Sequence, residues 1–303
     1  MIDPIYGRIA SNKRKTFFLF FLYALLFGLI GYFIGIYLGD PVAGIILAGV
    51  VFIVLFLISY YSGQNVVTKM AGAREVSKKD EPYLYNTVEG LSIASGRPMP
   101  RVFIIETEVP NAFAAGRNPD NAVIAVTRGL LDRLDRQELE GVIAHEMAHI
   151  NNYDVLLATV AIVLAGTIVF VSVIARRMML FGGMGRGGGR RGGQGQLIMI
   201  LILLLVAILA PIFAQLLKFA ISRQREYLAD ATAANFTGYP EGLASALEKI
   251  TNQQEKDSPL ENRALEGLYI VNPSLGAKSG NRASVLFSTH PPAEERIKRL
   301  RGM

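Results

Sequence analysis

The sequence predicts an α+β chain in which a soluble domain with a small β-sheet is fused to transmembrane α-helices. Three observations carry that expectation. Of the 303 residues 51% are hydrophobic and only 18% charged, against roughly 25% charged in soluble domains, and mean hydropathy is +0.34. The apolar surplus is gathered into four long uncharged runs. Between and after those runs, short strand-like stretches alternate with helical ones. Disordered, collagen-like and disulfide-stapled classes are excluded at this level.

The first two runs cover 17–38 and 42–61, with only Gly39-Asp40-Pro41 between them. Each is long enough, at ~1.5 Å rise per residue, for a helix to cross a ~30 Å hydrocarbon core. Residues 1–16 ahead of this two-helix anchor (17–61) are basic, with Arg8, Lys13, Arg14 and Lys15. The run behind them is too long for a signal's apolar region and no small-residue cleavage site follows, so the segment reads as an uncleaved anchor. The positive-inside rule places residues 1–16 in the cytoplasm, the Gly39-Asp40-Pro41 turn outside, and the chain after 61 back in the cytoplasm.

The other two runs, 155–175 and 197–217, make 155–217 a hydrophobic helical hairpin. Its tip, 182–195 (GGMGRGGGRRGGQG), reads as a flexible Gly/Arg-rich loop. Arg176, Arg177, Arg186, Arg190 and Arg191 would all lie outside if both runs crossed, against the positive-inside rule. Spanning and dipping are both left open by the sequence.

The soluble domain is therefore split into 62–154 and 218–303. In the first part, 81–95 has helical spacing and 101–107 (RVFIIET) reads as a strand. Residues 111–115 and 122–127 read as strands around a Gly116-Arg117-Asn118-Pro119-Asp120 turn, which predicts a hairpin. Asp135 is the predicted N-cap of a helix running to about Ile150, with Glu138 as its capping-box partner. In the second part, 221–236 and 240–251 read as helices, 253–284 is polar and irregular, and 293–301 closes the chain as a basic helix.

The chain has no Cys and three His. Thiolate metal sites, iron–sulfur clusters and cysteine nucleophiles are thereby excluded, and a metal must be held by His, Asp or Glu. A net charge of +6, from 31 basic and 25 acidic residues, fits the basic flanks of a membrane protein and implies no nucleic-acid partner. Two of the histidines lie in His145-Glu146-Met147-Ala148-His149. Residues four apart share a helix face, so both imidazoles reach one ion. Glu146, ~100° round the helix from His145, would touch the attacking water without being a ligand, the arrangement zincin hydrolysis needs.

A catalytic zinc takes a third protein ligand. His290 and the carboxylates are the candidates, and Glu226 in 222–230 (SRQREYLAD) is the best placed. One turn later, Asp230 would accept a hydrogen bond from the far nitrogen of a zinc histidine. Spacing alone also suits an ordinary salt-bridged helix, since Arg223 and Arg225 adjoin Glu226. Topology is consistent with a ligand, because two apolar runs separate Glu226 from the histidines and an even number of crossings returns the chain to its starting side.

With these residues assembled, the chain resembles the HtpX family of membrane zinc endopeptidases, relatives of the CAAX prenyl protease. The resemblance covers nearly the whole chain. It rests on the two N-terminal spans, Pro110-Asn111-Ala112-Phe113-Ala114, the HEMAH helix followed by Asn152 and Asp154, residues 222–230, and Ser288-Thr289-His290-Pro291-Pro292. It implies a gluzincin-like zincin metalloprotease domain with one Zn2+ per chain held by His145, His149 and Glu226. It also implies Glu146 as catalytic base and Asp230 as the residue behind a ligand. Asn111, Ala112 and Phe113 match an edge strand that would pair with an extended substrate. His290 and Arg296 match a His and an Arg that face the cleft, where they would hold a substrate carbonyl or oxyanion. The Gly/Arg-rich insert at 182–195 has no evident part in that chemistry.

The expected activity is hydrolysis of peptide bonds in unfolded or damaged proteins, chiefly membrane proteins, as part of quality control and the stress response. The expected seat is the cytoplasmic (inner) membrane, in a multi-pass chain whose active site faces the cytoplasm and whose partners are extended polypeptides and the lipid bilayer. A non-hydrolytic zinc-binding scaffold or chaperone is the rival reading, and replacement of Glu146 would mark it; Glu146 is present. A metal transporter would carry charged residues inside its spans, and the four runs carry none.

Overall fold

A computed structural model of the chain describes residues 4–164, 166, 223–254, 265, 268–271 and 291–303. Most of the expected 155–217 hairpin, its 182–195 loop and His290 lie outside the described residues.

Two long helices open the chain, α1 (Pro4–Leu38) and α2 (Pro41–Met70). They contain two candidate membrane spans, Ala10–Ile36 and Pro41–Met70. The turn between them is sharp because Asp40 caps α2, accepting from the Val42 and Ala43 N–H groups, while Pro41 occupies a first-turn position where no backbone donor is needed. Gly31 and Gly35 of α1 lie against Gly44 and Ala48 of α2; a Cβ on Gly44 would stand 2.6 Å from Gly35 Cα. Backbone-to-backbone approach of this kind requires small residues. Both helices outrun their apolar stretches. The basic residues from Pro4 onward continue α1, and the last turns of α2, with Gln64, Val67 and Thr68 buried, reach into the soluble domain.

That domain is built on a four-stranded sheet of β1 (Arg74–Glu75), β2 (Arg101–Ile105), β3 (Ala112–Gly116) and β4 (Ala122–Thr127), in the order β1-β2-β4-β3. β2 and β4 are parallel, with Arg101 opposite Val123; β3 and β4 form the predicted antiparallel hairpin, with Ala112 opposite Val126. Around the sheet lie α3 (Pro82–Ser95), α4 (Arg128–Leu131), α5 (Arg136–Asn151) and α6 (Asp154–Leu164). Val102, Ile104, Ala114, Ile124 and Val126 on one face pack with Leu84, Val88 and Leu91 of α3 and Val142, Ile143 and Met147 of α5. Phe103, Ile105, Phe113 and Val123 on the other meet Val67 of α2 and Ile162 and Val163 of α6. Burial on both faces explains why these strands read as near-continuous apolar runs rather than alternating ones.

The capping box is present: Asp135 accepts from the Glu138 N–H and Glu138 accepts from the Asp135 N–H. Three further helices follow, α7 (Arg223–Thr237), α8 (Pro240–Gln254) and α9 (Ala293–Leu300). Glu138 also accepts from Ser245 at 2.6 Å and Lys249 at 2.7 Å, which locks α8 onto the start of α5. At its other end α5 stops at Asn152; Tyr153 takes a left-handed conformation (φ 58) and the chain bends 85° into α6. Leu156, Leu157, Val160 and Leu164 of α6 then pack against Leu19, Tyr23, Leu26 and Phe27 of α1, and the Tyr23 hydroxyl donates to the Leu164 carbonyl.

Candidate metal centre

His145 and His149 project from one face of α5 in its buried second half, and Glu226 enters from the first turn of α7. Each offers a ligand atom, and the three atoms lie within 4.8 Å of one another. The two Nε2 atoms are 3.1 Å apart. Glu226 Oε2 is 3.7 Å from His145 Nε2, and its Oε1 is 3.5 Å from His149 Nε2. Residues on either side of 165–222, in α5 and in the first turn of α7, therefore meet at one point.

A carboxylate holds the far nitrogen of each imidazole. His145 Nδ1 is 3.0 Å from Asp230 Oδ1, and His149 Nδ1 is 3.1 Å from Asp154 Oδ2. An ionised carboxylate only accepts, so each Nδ1 carries a hydrogen, and with both rings neutral each Nε2 turns a lone pair inward. Two Nε2 atoms at 3.1 Å beside an anionic carboxylate call for positive charge among them, which a proton on His149 or a metal cation supplies. Two imidazole nitrogens and one carboxylate oxygen are a donor set that fits a divalent metal with an open position.

The surroundings set the charges. Burial lowers the His145 imidazolium, helped by the Arg296 cation, to about 4. Burial alone would lower His149 too, but the Glu226 and Asp154 carboxylates outweigh it and hold it up at about 9. Glu146 is 2% exposed, and burial pushes its carboxyl up to about 7, with Glu226 adding to the rise. The backbone N–H of Ala114 on β3 works against that rise by favouring the charged form.

Arg296, expected to face the cleft, is 1% exposed and forks onto Asp230, with Nη2 to Oδ1 at 2.7 Å and Nε to Oδ2 at 2.9 Å. Its Nη1 donates to the Ile270 carbonyl at 3.0 Å and lies 4.0 Å from Glu226. A bidentate guanidinium on a buried carboxylate fixes orientation as well as charge. Burial alone would raise the Asp230 carboxyl, but Arg296 and the His145 N–H outweigh it and hold it down to about 2.

Asn111, Ala112 and Phe113 lie at the outer edge of the sheet, where β3 is the last strand. The Ala112 carbonyl accepts from the Ile270 N–H at 3.0 Å, Asn111 Nδ2 donates to the Val271 carbonyl, and the Phe113 ring is buried edge-on to Tyr269. A segment of the chain itself thus occupies part of this edge. The sequence marks Asp154 only as part of a motif and Arg225 only as a neighbour of Glu226, and gives no sign of Asn12; both Asn12 and Arg225 bond Asp154. A lone Asn ahead of an apolar run carries no signal of a partner 142 residues away.

The profile of Peptidase family M48 matches residues 78–303. A protein named Protease HtpX homolog from Dictyoglomus thermophilum is 48% identical, over 98% of this chain and 94% of its own. One of the same name from Streptococcus gordonii is 42% identical, over 99% of this chain and 100% of its own. In fold the chain is similar to the crystal structure of S. mikatae Ste24p, with a TM-score of 0.51 at 16% identity over 97% of this chain and 67% of that one. With the family's profile across most of its length, a His/His/Glu cluster and two apolar helices long enough to span, the chain belongs to peptidase family M48 and is a membrane metalloendopeptidase.

Proposed function

We propose that the chain holds one zinc ion on His145, His149 and Glu226 and cleaves extended segments of unfolded or damaged proteins, chiefly membrane proteins, in a quality-control role. The observation that supports this reading is the pair of imidazoles, each with its Nδ1 on a carboxylate of Asp230 or Asp154, and their Nε2 atoms converging beside Glu226. When bound, zinc supplies Lewis acidity that polarises a scissile carbonyl and makes water a nucleophile near neutral pH. Glu146 takes the water's proton at a carboxylate oxygen and later delivers it to the departing amine. Arg296 acts one layer behind, holding Asp230 so that Asp230 holds His145.

The substrate enters extended and adds beside β3 along Asn111, Ala112 and Phe113, and a substrate N–H that reaches the Ala112 carbonyl takes the place of Ile270. His290 is assigned to the substrate carbonyl or oxyanion on the strength of the family resemblance. The basic residues at the start of α1 orient the multi-pass chain with this site toward the cytoplasm.

The test uses detergent-purified wild type and Glu146→Gln, each assayed for bound zinc and casein cleavage. Near one zinc per chain in both is expected, with cleavage falling by ~10²-fold or more in the variant. Zinc in both and cleavage in neither, with zinc added, would leave a zinc-binding scaffold as the better description.

A further inference from the structure

We propose that Asn12, on the first membrane helix, is a positioning residue for the metal centre. It is 3% exposed, the last polar side chain one would expect to bury on a helix that goes on into an apolar span. Asn12 Nδ2 donates to Asp154 Oδ1 at 2.8 Å, and its Oδ1 accepts from Arg225 Nη1 at 3.3 Å. Both ends of the amide are therefore committed, which fixes its orientation. Arg225 Nη1 also reaches Asp154 Oδ1 at 3.4 Å. The other oxygen of Asp154 accepts from His149 Nδ1. The relay runs from α1 to Asp154 to a metal-ligating imidazole, and Arg225 joins it from α7, one residue before Glu226.

Geometry explains why such a brace is needed. Asp154 opens α6 immediately after the left-handed Tyr153, so the 85° bend bears directly on where its carboxylate points. α1 braces that bend from outside: Lys13 Nζ sits 5.3 Å from the centre of the Tyr153 ring, Asn12 bonds Asp154, and the apolar face of α1 packs along α6. The membrane anchor thus sets the aim of His149 Nε2. A group that bonds a metal-ligating imidazole directly, as Asp154 does, is worth about 10- to 100-fold in metal affinity.

The test is zinc affinity of the chelator-stripped full-length protein in detergent, by competition with a chromophoric chelator. Asn12→Ala, one hydrogen bond further out, is expected to weaken zinc binding several-fold, up to about tenfold. Asp154→Asn should weaken it at least as much, and the double variant should bind no more weakly than Asp154→Asn alone, because Asn12 acts through Asp154. Thr16→Val, which alters the next buried polar residue on α1, bonded only to the Asn12 carbonyl, should bind as wild type. Should Asn12→Ala fail to fold, Asn12→Ser keeps a short donor and is read against the same controls. Wild-type affinity in the Asn12 variant, or losses that add in full in the double variant, would overturn the proposal. The inference rests on the metal-centre reading, and a wild type that binds no zinc would overturn that reading itself.

Discussion

Replacing Arg296 with Met keeps the length of the side chain and removes its charge from a site that is 1% exposed. Asp230 then keeps its negative charge with only the His145 N–H facing it, where Arg296 had supplied bonds of 2.7 and 2.9 Å. Removing one member of a buried ion pair costs about 3–5 kcal/mol. The Ile270 carbonyl, deprived of its Nη1 donor, adds about 1 kcal/mol. A loss of this size is a large part of the ~5–15 kcal/mol that holds a folded protein together. In thermal melts of the chelator-stripped protein it should lower Tm by on the order of 10 °C. If the penalty is the stranded carboxylate, adding Asp230→Asn should restore at least half of the loss. A single variant melting within about 2 °C of wild type, or a double variant no more stable than the single, would refute the argument.

Two further outcomes follow from the same structure. Asp230 is held down to about 2, below the ordinary ~3.9. The stabilisation it contributes is complete above that ordinary value and lost as pH falls toward 2, so acid unfolding of wild type between about pH 4 and 2 should be steeper than that of Asp230→Asn. At the helix pair, Gly44→Leu forces a side chain into the backbone of α1, 2.6 Å from Gly35 Cα, whereas Gly49 on the same helix has nothing within 4 Å of its Cβ position. Gly44→Leu should lower Tm in detergent by several degrees and Gly49→Leu should leave it unchanged; equal melting points would show that the α1–α2 contact contributes nothing.

Local chemistry is legible in sequence wherever neighbours along the chain decide it. The Asp135 capping box, the β3–β4 hairpin and the one-face placement of His145 and His149 each depend on residues a few positions apart, and each stands where the spacing puts it. The length of an uncharged run likewise suffices for two helices that can span. Spacing left Glu226 undecided, because a helix with flanking arginines looks the same whether its carboxylate faces water or an ion. Only the packing of α7 against α5 brings it to the histidines.

Arg296 shows the same limit from the other side. Its place in a basic terminal helix predicts solvent or substrate, yet the fold buries it on Asp230. The residues that bond or brace the His145 and His149 imidazoles come from α1, α6, α7 and α9, and nothing local records that they meet. Such contacts are fixed by how helices and sheet fill a common core, and that depends on the whole chain at once. The sequence by itself determined the capped helix that carries both histidines, the β3–β4 hairpin and the two N-terminal membrane helices; the tertiary structure decided which distant charges orient the imidazoles.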